Sequence, residues 1–378
     1  MTLQDFKTQQ LANFEAAPKP SRKDENWRFG NLKKSNYEEF ESFRAPDTNV
    51  TNAAHILPVT HLGEEQAAKF AGLLEKAGST LGSSRVTSKA LANIDSALFI
   101  DVPANTVVEK PIIIDYSVVS SAGNATLLFI NGGANSQFSV IERYASADEA
   151  ASATAGFTLI NGEAGANVKH LALQNTNEES RISLSHRSDA AKDANVTSFI
   201  LNTGAAWSRS ESSAFLNEAG AHVNLLSIST PNEKQEFDQR TFQHHACAHT
   251  TSNLLYKNSL YDTAKTVFSG LIFVDEKAHF TDAYQTCRNL LMSETTEANS
   301  MPGLEINADQ VKCSHGSTSA TIEDEEIFYL KARGIDPKTA KQMIARGFLV
   351  EVLEELKDEA LEELVLESLD QKLSVINS

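Results

Sequence analysis

Near the C-terminal end of the chain, Lys312-Cys313-Ser314-His315-Gly316 sets a thiol and an imidazole two residues apart. Alternation over residues 304–311 predicts a strand here, on which Cys313 and His315 face the same side. A soft thiolate beside a borderline imidazole suits iron, zinc, copper or an iron–sulfur cluster. Two ligands do not close a metal site, which takes four. The pair is therefore either structural, a small buried thiol beside an imidazole, or one half of a site that another chain completes.

A second ligand-rich stretch is His244-His245-Ala246-Cys247-Ala248-His249. On a strand, His245, Cys247 and His249 would share a face, but alternate residues lie ~6.5–7 Å apart, too far to converge on one ion. Core residues are the expectation there. Cys287, in Tyr284-Gln285-Thr286-Cys287-Arg288-Asn289, reads as a strand-to-loop transition. No Cys-x-x-Cys occurs, so no permanently bound metal or cluster is expected from this chain alone. No Gly-x-x-x-x-Gly-Lys-Ser/Thr loop occurs either, so if ATP is used, another subunit must bind it. Trp27, between Asn26 and Arg28, reads as a packing anchor in preference to a stacking platform.

These residues need elements to position them. Residues 1–95 read mostly as helix: Leu3, Phe6, Leu11 and Phe14 recur at near-helical spacing, and Ala67, Phe70, Leu73 and Leu74 share one side of a second segment. Between them, residues 43–51 read as a loop around Ala45-Pro46-Asp47. Residues 96–320 read as β, with short runs such as Leu98-Phe99-Ile100 and Ile112-Ile113-Ile114 parted by turn residues. The phrase Gly133-Ala134-Asn135 returns as Gly165-Ala166-Asn167, Gly204-Ala205-Ala206 and Gly220-Ala221-His222. Glycine suits a positive-φ corner and alanine a close stack, which points to a β-solenoid. The uneven spacing leaves a β-sandwich open. Residues 321–378 return to helical period. Gly334 closes one helix, Asp336-Pro337 opens a second and Gly347 closes it. A third spans residues 349–369 with a stripe of Val352, Leu353, Leu356, Ala360 and Leu364, and an acidic solvated face. Phe328, Leu330, Ile335, Met343, Ile344 and Phe348 exceed what two short helices bury between themselves, which predicts a partner.

A net charge of −17 over 378 residues argues against a general nucleic-acid binder, which needs a basic face. The first residues carry no secretory pattern, and no apolar run approaches the ~20 residues of a membrane span. Three scattered cysteines form no disulfide framework and favour a reducing compartment. A soluble, cytoplasmic protein is expected.

The segment Leu304-Glu305-Ile306 through Lys312-Cys313-Ser314-His315-Gly316, followed by Phe328-Tyr329-Leu330-Lys331-Ala332-Arg333-Gly334-Ile335, closely resembles the signature of the SufB/SufD family of iron–sulfur cluster assembly proteins. The likeness extends to Phe268-Ser269-Gly270, Ala283-Tyr284-Gln285, Arg288-Asn289-Leu290-Leu291-Met292-Ser293, His245, His249-Thr250-Thr251-Ser252, and Arg22-Lys23-Asp24-Glu25-Asn26-Trp27-Arg28-Phe29. The Cys-Ser-His-Gly form resembles the SufD branch; the SufB branch typically carries Glu-His-Glu-Ala there. The resemblance implies a right-handed parallel β-helix core with helical N-terminal and C-terminal regions. It also implies a complex of one SufB, one SufD and two SufC ATPases, with SufB paired through the β-helix. SufC would sit on the C-terminal helical domain, at Phe328, Tyr329, Leu330, Arg333, Gly334, Ile335 and Phe348. It implies a nascent, transient iron–sulfur cluster at the SufB interface, with His315 as ligand and Cys313 beside it, and FADH2-dependent iron reduction only at the level of the complex. A homodimeric β-helix scaffold acting without SufB is the alternative. A β-helix enzyme of acidic polysaccharides fits poorly, because it would be secreted and would need convergent charged residues.

Overall fold

The structure, a computed structural model, describes residues 1–35, 43–78, 80–120 and 122–376. Helix α1 (Leu3–Ala16) comes first, then strands β1 (Phe43–Arg44), β2 (Asp47–Thr51) and β3 (Ile56–Pro58), then α2 (Glu64–Leu74) and α3 (Ser84–Leu91). The strands continue as β4 (Leu98–Val102), β5 (Ile112–Val118), β6 (Gly123–Gly132), β7 (Gln137–Ser146), β8 (Ala153–Gly162), β9 (Asn167–Asn175), β10 (Arg181–Ala190) and β11 (Asn195–Asn202). They run on through β12 (Trp207–Leu216), β13 (His222–Ser229), β14 (Glu236–His245), β15 (Thr251–Leu260), β16 (Lys265–Val274), β17 (Asp282–Leu291), β18 (Glu297–Ile306) and β19 (Lys312–Thr321). The chain ends with α4 (Asp324–Lys331), α5 (Pro337–Val350) and α6 (Glu359–Val375).

From β4 onward the strands alternate between two sheets, even numbers in one and odd in the other, and each pairs in parallel with the strand two places away. That is a parallel β-solenoid of about eight coils, and the sandwich alternative falls. Register advances by 28 residues from Ala153 to Arg181 but by 32 from Lys265 to Glu297, which is why the repeat looked irregular. One corner nonetheless recurs in every coil as a positive-φ residue: Asn105, Asn135, Gly165, Asp193, Gly220, His249, Phe280 and Gln310. At this corner the Asn105 and Asn135 amides donate to the next coil at Ala134 and Ala164 (2.7 and 2.9 Å). Of the four glycine phrases, only Gly165 and Gly220 hold positive φ. Gly133 serves close approach instead, since a Cβ there would lie 2.6 Å from the Ala104 nitrogen.

Inward-facing side chains form the lumen core, including Ile100, Ile130, Ile160, Val168, Val196, Val223, Leu254 and Phe268. The N-terminal segment clads the outer face of the even sheet: Phe6, Trp27, Phe70, Leu73 and Leu91 pack on Phe99, Leu127, Phe129 and Phe157. Trp27 stacks on Trp207 with ring centroids 6.4 Å apart, donates to the Gly82 carbonyl at 3.0 Å and lies under the Arg209 guanidinium. Arg209 is fully buried and pairs with Glu211 (2.7 Å) and Asp238 (2.6 Å), while its Nη2 donates to the Asn26 and Leu81 carbonyls. The C-terminal helices clad the odd sheet, where Leu353, Leu356, Leu361, Val365 and Leu369 cover Ile141, Leu171, Phe199 and Leu226.

Three local expectations are corrected. The loop expected over residues 43–51 instead contributes β1 and β2, because pairing with β6 and antiparallel pairing with β5 outweigh its polar composition. Gly347 lies inside α5 and does not end it. The expected third helix is broken at Lys357, which has positive φ, and α6 restarts with Asp358 as N-cap. That break resets the phase, so Leu361, Val365, Leu369 and Leu373 form the buried stripe while Ala360 is exposed. No helix among the described residues is long and apolar enough to cross a membrane.

Two buried groups define a pH window. His245 is enclosed, and burial drops its imidazole pKa from 6.5 to about 3; burial raises the Cys287 thiol from 9.0 to about 12. The unfolded chain binds a proton at His245 from pH 6.5 downward, while the folded chain does not, so stability falls as pH drops below 6.5. Above pH 9 the unfolded thiol ionises and the folded one stays protonated, so stability falls again. Urea midpoints measured against pH should show a plateau between these limits. The His245 contribution to the acid limb should amount to about 2 kcal/mol by pH 5, and His245→Gln should make that limb shallower.

Candidate functional site

The stack ends at two strands. β18 pairs with β16 and β19 with β17, and each is the terminal strand of its sheet. Ten residues of each therefore present an outer edge whose backbone donors and acceptors lack strand partners among the described residues. Pro302 sits on β18, where the missing N–H is tolerated because the strand is an edge.

On β19, Cys313 and His315 do share a face, and register shows which one. Their neighbours on β17 are Ala283 and Gln285, both buried in the lumen. The two ligand-type residues thus line the inner side of the last coil, at its open mouth. Cys313 is half-buried against Ile272, Val274, Ala278 and Ala283, and burial raises its thiol pKa. His315 is exposed. Gly316 alternates to the outer face, where an added Cβ would meet nothing within 4 Å. Beneath His315, Gln285 donates through Nε2 to Thr241 Oγ1 at 3.3 Å. A side chain at Gly270 would collide with Gln285, which accounts for glycine there.

The other stretch does not converge. β14 ends at His245, whose nitrogens lie 2.7 Å from Thr250 Oγ1 and 2.8 Å from Ser252 Oγ. Cys247 lies in the following turn, and His249 has left-handed φ and stacks on Phe280 at 4.8 Å. The shared strand face expected for the three does not exist. Cys287 is not at a strand end either; it sits within β17, fully buried beside Asn258 and Asn289. The structure does assemble a group that no motif announced, Glu142, His170 and His186, deep in the lumen.

On the C-terminal helices, Phe328 is 71% and Tyr329 57% exposed, with the Arg333 guanidinium 3.9 Å over the Tyr329 ring. Gly334 has positive φ and passes the chain from α4 to the Asp336 cap of α5. Leu330 and Ile335 are half-buried in the α4–α5 junction. Phe348 does not join this surface. It faces the solenoid, where Lys257 lies 4.6 Å from its ring and donates to its carbonyl at 2.8 Å. Phe348→Ala should therefore loosen α5 from the solenoid and lower stability by about 1–3 kcal/mol, whereas Phe328→Ala should leave the melting temperature within error. Thermal unfolding of the two variants checks this.

Residues 117–348 match the family described as SUF system FeS cluster assembly, SufBD core domain. The Escherichia coli iron–sulfur cluster assembly protein SufD is 37% identical over 234 residues, covering 62% of this chain and 55% of that protein. A SufBD family protein of Mycobacterium leprae is 27% identical over 201 residues, 51% of each chain. One from Synechocystis is 33% identical over 156 residues, covering 41% of this chain and 34% of that protein. The chain thus spans between a third and just over half of the length of these relatives. The matched region takes in β19, α4 and all but the last two residues of α5.

Proposed function

The chain belongs to the SufBD family of the SUF iron–sulfur cluster assembly system and is SufD-like, and on that premise we propose that it is a scaffold subunit whose open solenoid end carries half of a cluster-building site. The observation that supports this reading is the placement of a lumen-facing Cys313 and His315 on an edge strand whose outer side has no strand partner among the described residues. A SufB-type solenoid adding its own strand edges to β18 and β19 would complete the hydrogen-bond ladders and bring further ligands to His315. The nascent cluster is cargo, so its ligands must let go of it. His315 suits that role: it is exposed, and a neutral imidazole is ready to ligate without losing a proton. Cys313 must first give up a proton that burial holds, so it ranks second.

ATP hydrolysis would come from a SufC-type partner on the exposed surface of α4, with Phe328, Tyr329 and Arg333 as its centre and Leu330, Gly334 and Ile335 shaping it. Phe348 would contribute only by holding α5 in place. The cytoplasm suits three free cysteines.

Co-expression with SufB and SufC, followed by iron and sulfide analysis of the purified complex, tests the site. His315→Ala should assemble normally and load several-fold less iron and sulfide, with Cys313→Ser less affected. Normal loading of the alanine variant would remove His315 from the site, and a homodimer in place of the mixed complex would favour a scaffold acting without SufB. Arg333→Glu combined with Tyr329→Ala should release SufC while SufB is retained; equal SufC recovery would place that contact elsewhere.

A further inference from the structure

Deep inside the solenoid, a carboxylate and two imidazoles converge from three strands. Glu142 comes from β7, His170 from β9 and His186 from β10, and their relative exposures are 0%, 0% and 2%. His170 Nε2 lies 2.7 Å from Glu142 Oε1, and the two imidazole rings meet edge to face with centroids 5.1 Å apart. One ligand atom from each residue falls within 4.8 Å of the other two. Glu142 is held in place by hydroxyl donors, Tyr144 at 2.9 Å and Thr158 at 2.7 Å.

What the protein alone leaves unexplained is His186. Among the described residues neither of its ring nitrogens has a hydrogen-bond partner, and His170 Nδ1 has none. Buried polar atoms are nearly always paired, because leaving one unmade is costly. Contrast His245 in the same lumen, whose two nitrogens are both satisfied by hydroxyls. Glu142 is a carboxylate removed from water whose hydrogen-bond partners are the His170 imidazole and two hydroxyls, with no arginine or lysine among them.

We propose that Glu142, His170 and His186 bind a divalent first-row transition ion, iron(II) or zinc, in the interior of the solenoid. Two imidazoles and one carboxylate form a donor set that holds these ions with coordination positions left open. Donors around a tetrahedral ion with bonds of about 2.0–2.1 Å lie roughly 3.4 Å apart, so binding opens the 2.7 Å contact between His170 and Glu142 and closes separations of up to 4.8 Å within the group. The ion gives His186 its missing partner and balances the charge of Glu142. The Tyr144 and Thr158 hydroxyls then orient the carboxylate, as supporting groups do around metal ligands.

Access follows the register. His186 stacks on Ser212 in the next coil and Ser212 on Thr241. Tyr256 donates to Ser212 at 3.1 Å and Gln285 to Thr241 at 3.3 Å, and Gln285 lies directly beneath His315. A line of hydroxyls and amides thus runs from the three ligands to the mouth. His170 and His315 occupy one column five pairings apart, about 24 Å at the spacing of paired strands, so the two sites are separate.

The test uses the full chain, stripped with chelator and offered cobalt(II) as a spectroscopic probe, both in the folded state and during refolding from urea. One equivalent should bind in at least one of these arms and give ligand-field absorption in the visible. Glu142→Gln and His186→Ala, each checked for native circular dichroism, should weaken binding at least about tenfold, and His315→Ala should leave it unchanged. Anaerobic competition by iron(II) and by zinc then tells which ion displaces the probe. If His186→Ala does not fold, Glu142→Gln, which preserves shape, decides alone. The proposal is overturned if neither arm binds cobalt, if the folded Glu142 variant binds as the parent does, or if His315→Ala abolishes binding. That last outcome would assign the metal to the mouth.

Discussion

Everything in this molecule hangs on strands that pair in parallel and in register from one coil to the next. Side chains alternate faces along a strand, so a slip of one residue would turn the whole inner set of a coil outward. The pairing therefore decides, five coils away from one another, that His170 and His315 stand in the same inner column. It also decides that Cys313 points at the core cluster and not at solvent. The corner of positive-φ residues lets the connections vary in length without disturbing this register. Asparagine, aspartate and histidine fill that corner as well as glycine, since their short polar side chains tolerate left-handed backbone.

Helical layers stabilise the solenoid unevenly. The N-terminal layer covers the early even strands and the C-terminal layer the middle odd ones, so the last coils keep bare outer faces. The N-terminal layer is held by more than apolar contact. Arg209, Glu211, Asp238 and Arg240 form a buried ionic group in which the arginines also donate to the Asn26, Leu81 and Arg28 carbonyls. Such a group adds little net stability over apolar residues of similar volume, yet removing one member leaves a charge buried without its partner. Its effect here is to fix where the layer sits, with Trp27 wedged between Trp207 and Arg209.

The class of fold could be read from the chain because β-branched runs, turn phrases and helix caps are local signals. Gly334 and Asp336-Pro337 sit where their cap chemistry placed them. The strand carrying Cys313 and His315, and their common face, were legible for the same reason. What could not be read depends on partners distant in sequence. β2 is a strand only because β5 lies beside it, and α6 changes phase because of one left-handed residue, Lys357. Glu142, His170 and His186 escaped altogether. Their separations, 28 and 16 residues, match no ligand motif, and only the coil length of roughly that size brings the first two together. The search for ligands in the sequence looked along a strand, at Cys313 with His315 and at His245 to His249, and not across neighbouring strands.

The stack also has a direction. At one end it is closed by β2 and β3, antiparallel strands of five and three residues; at the other, β18 and β19 lie side by side with ten residues each. A solenoid open at both ends would polymerise, each copy templating the next. With one such long edge pair among the described residues, growth would halt once two of these ends met. Any chamber sealed between two such mouths would then number one per pair of solenoids, a limit imposed by the short strands at the far end of the stack.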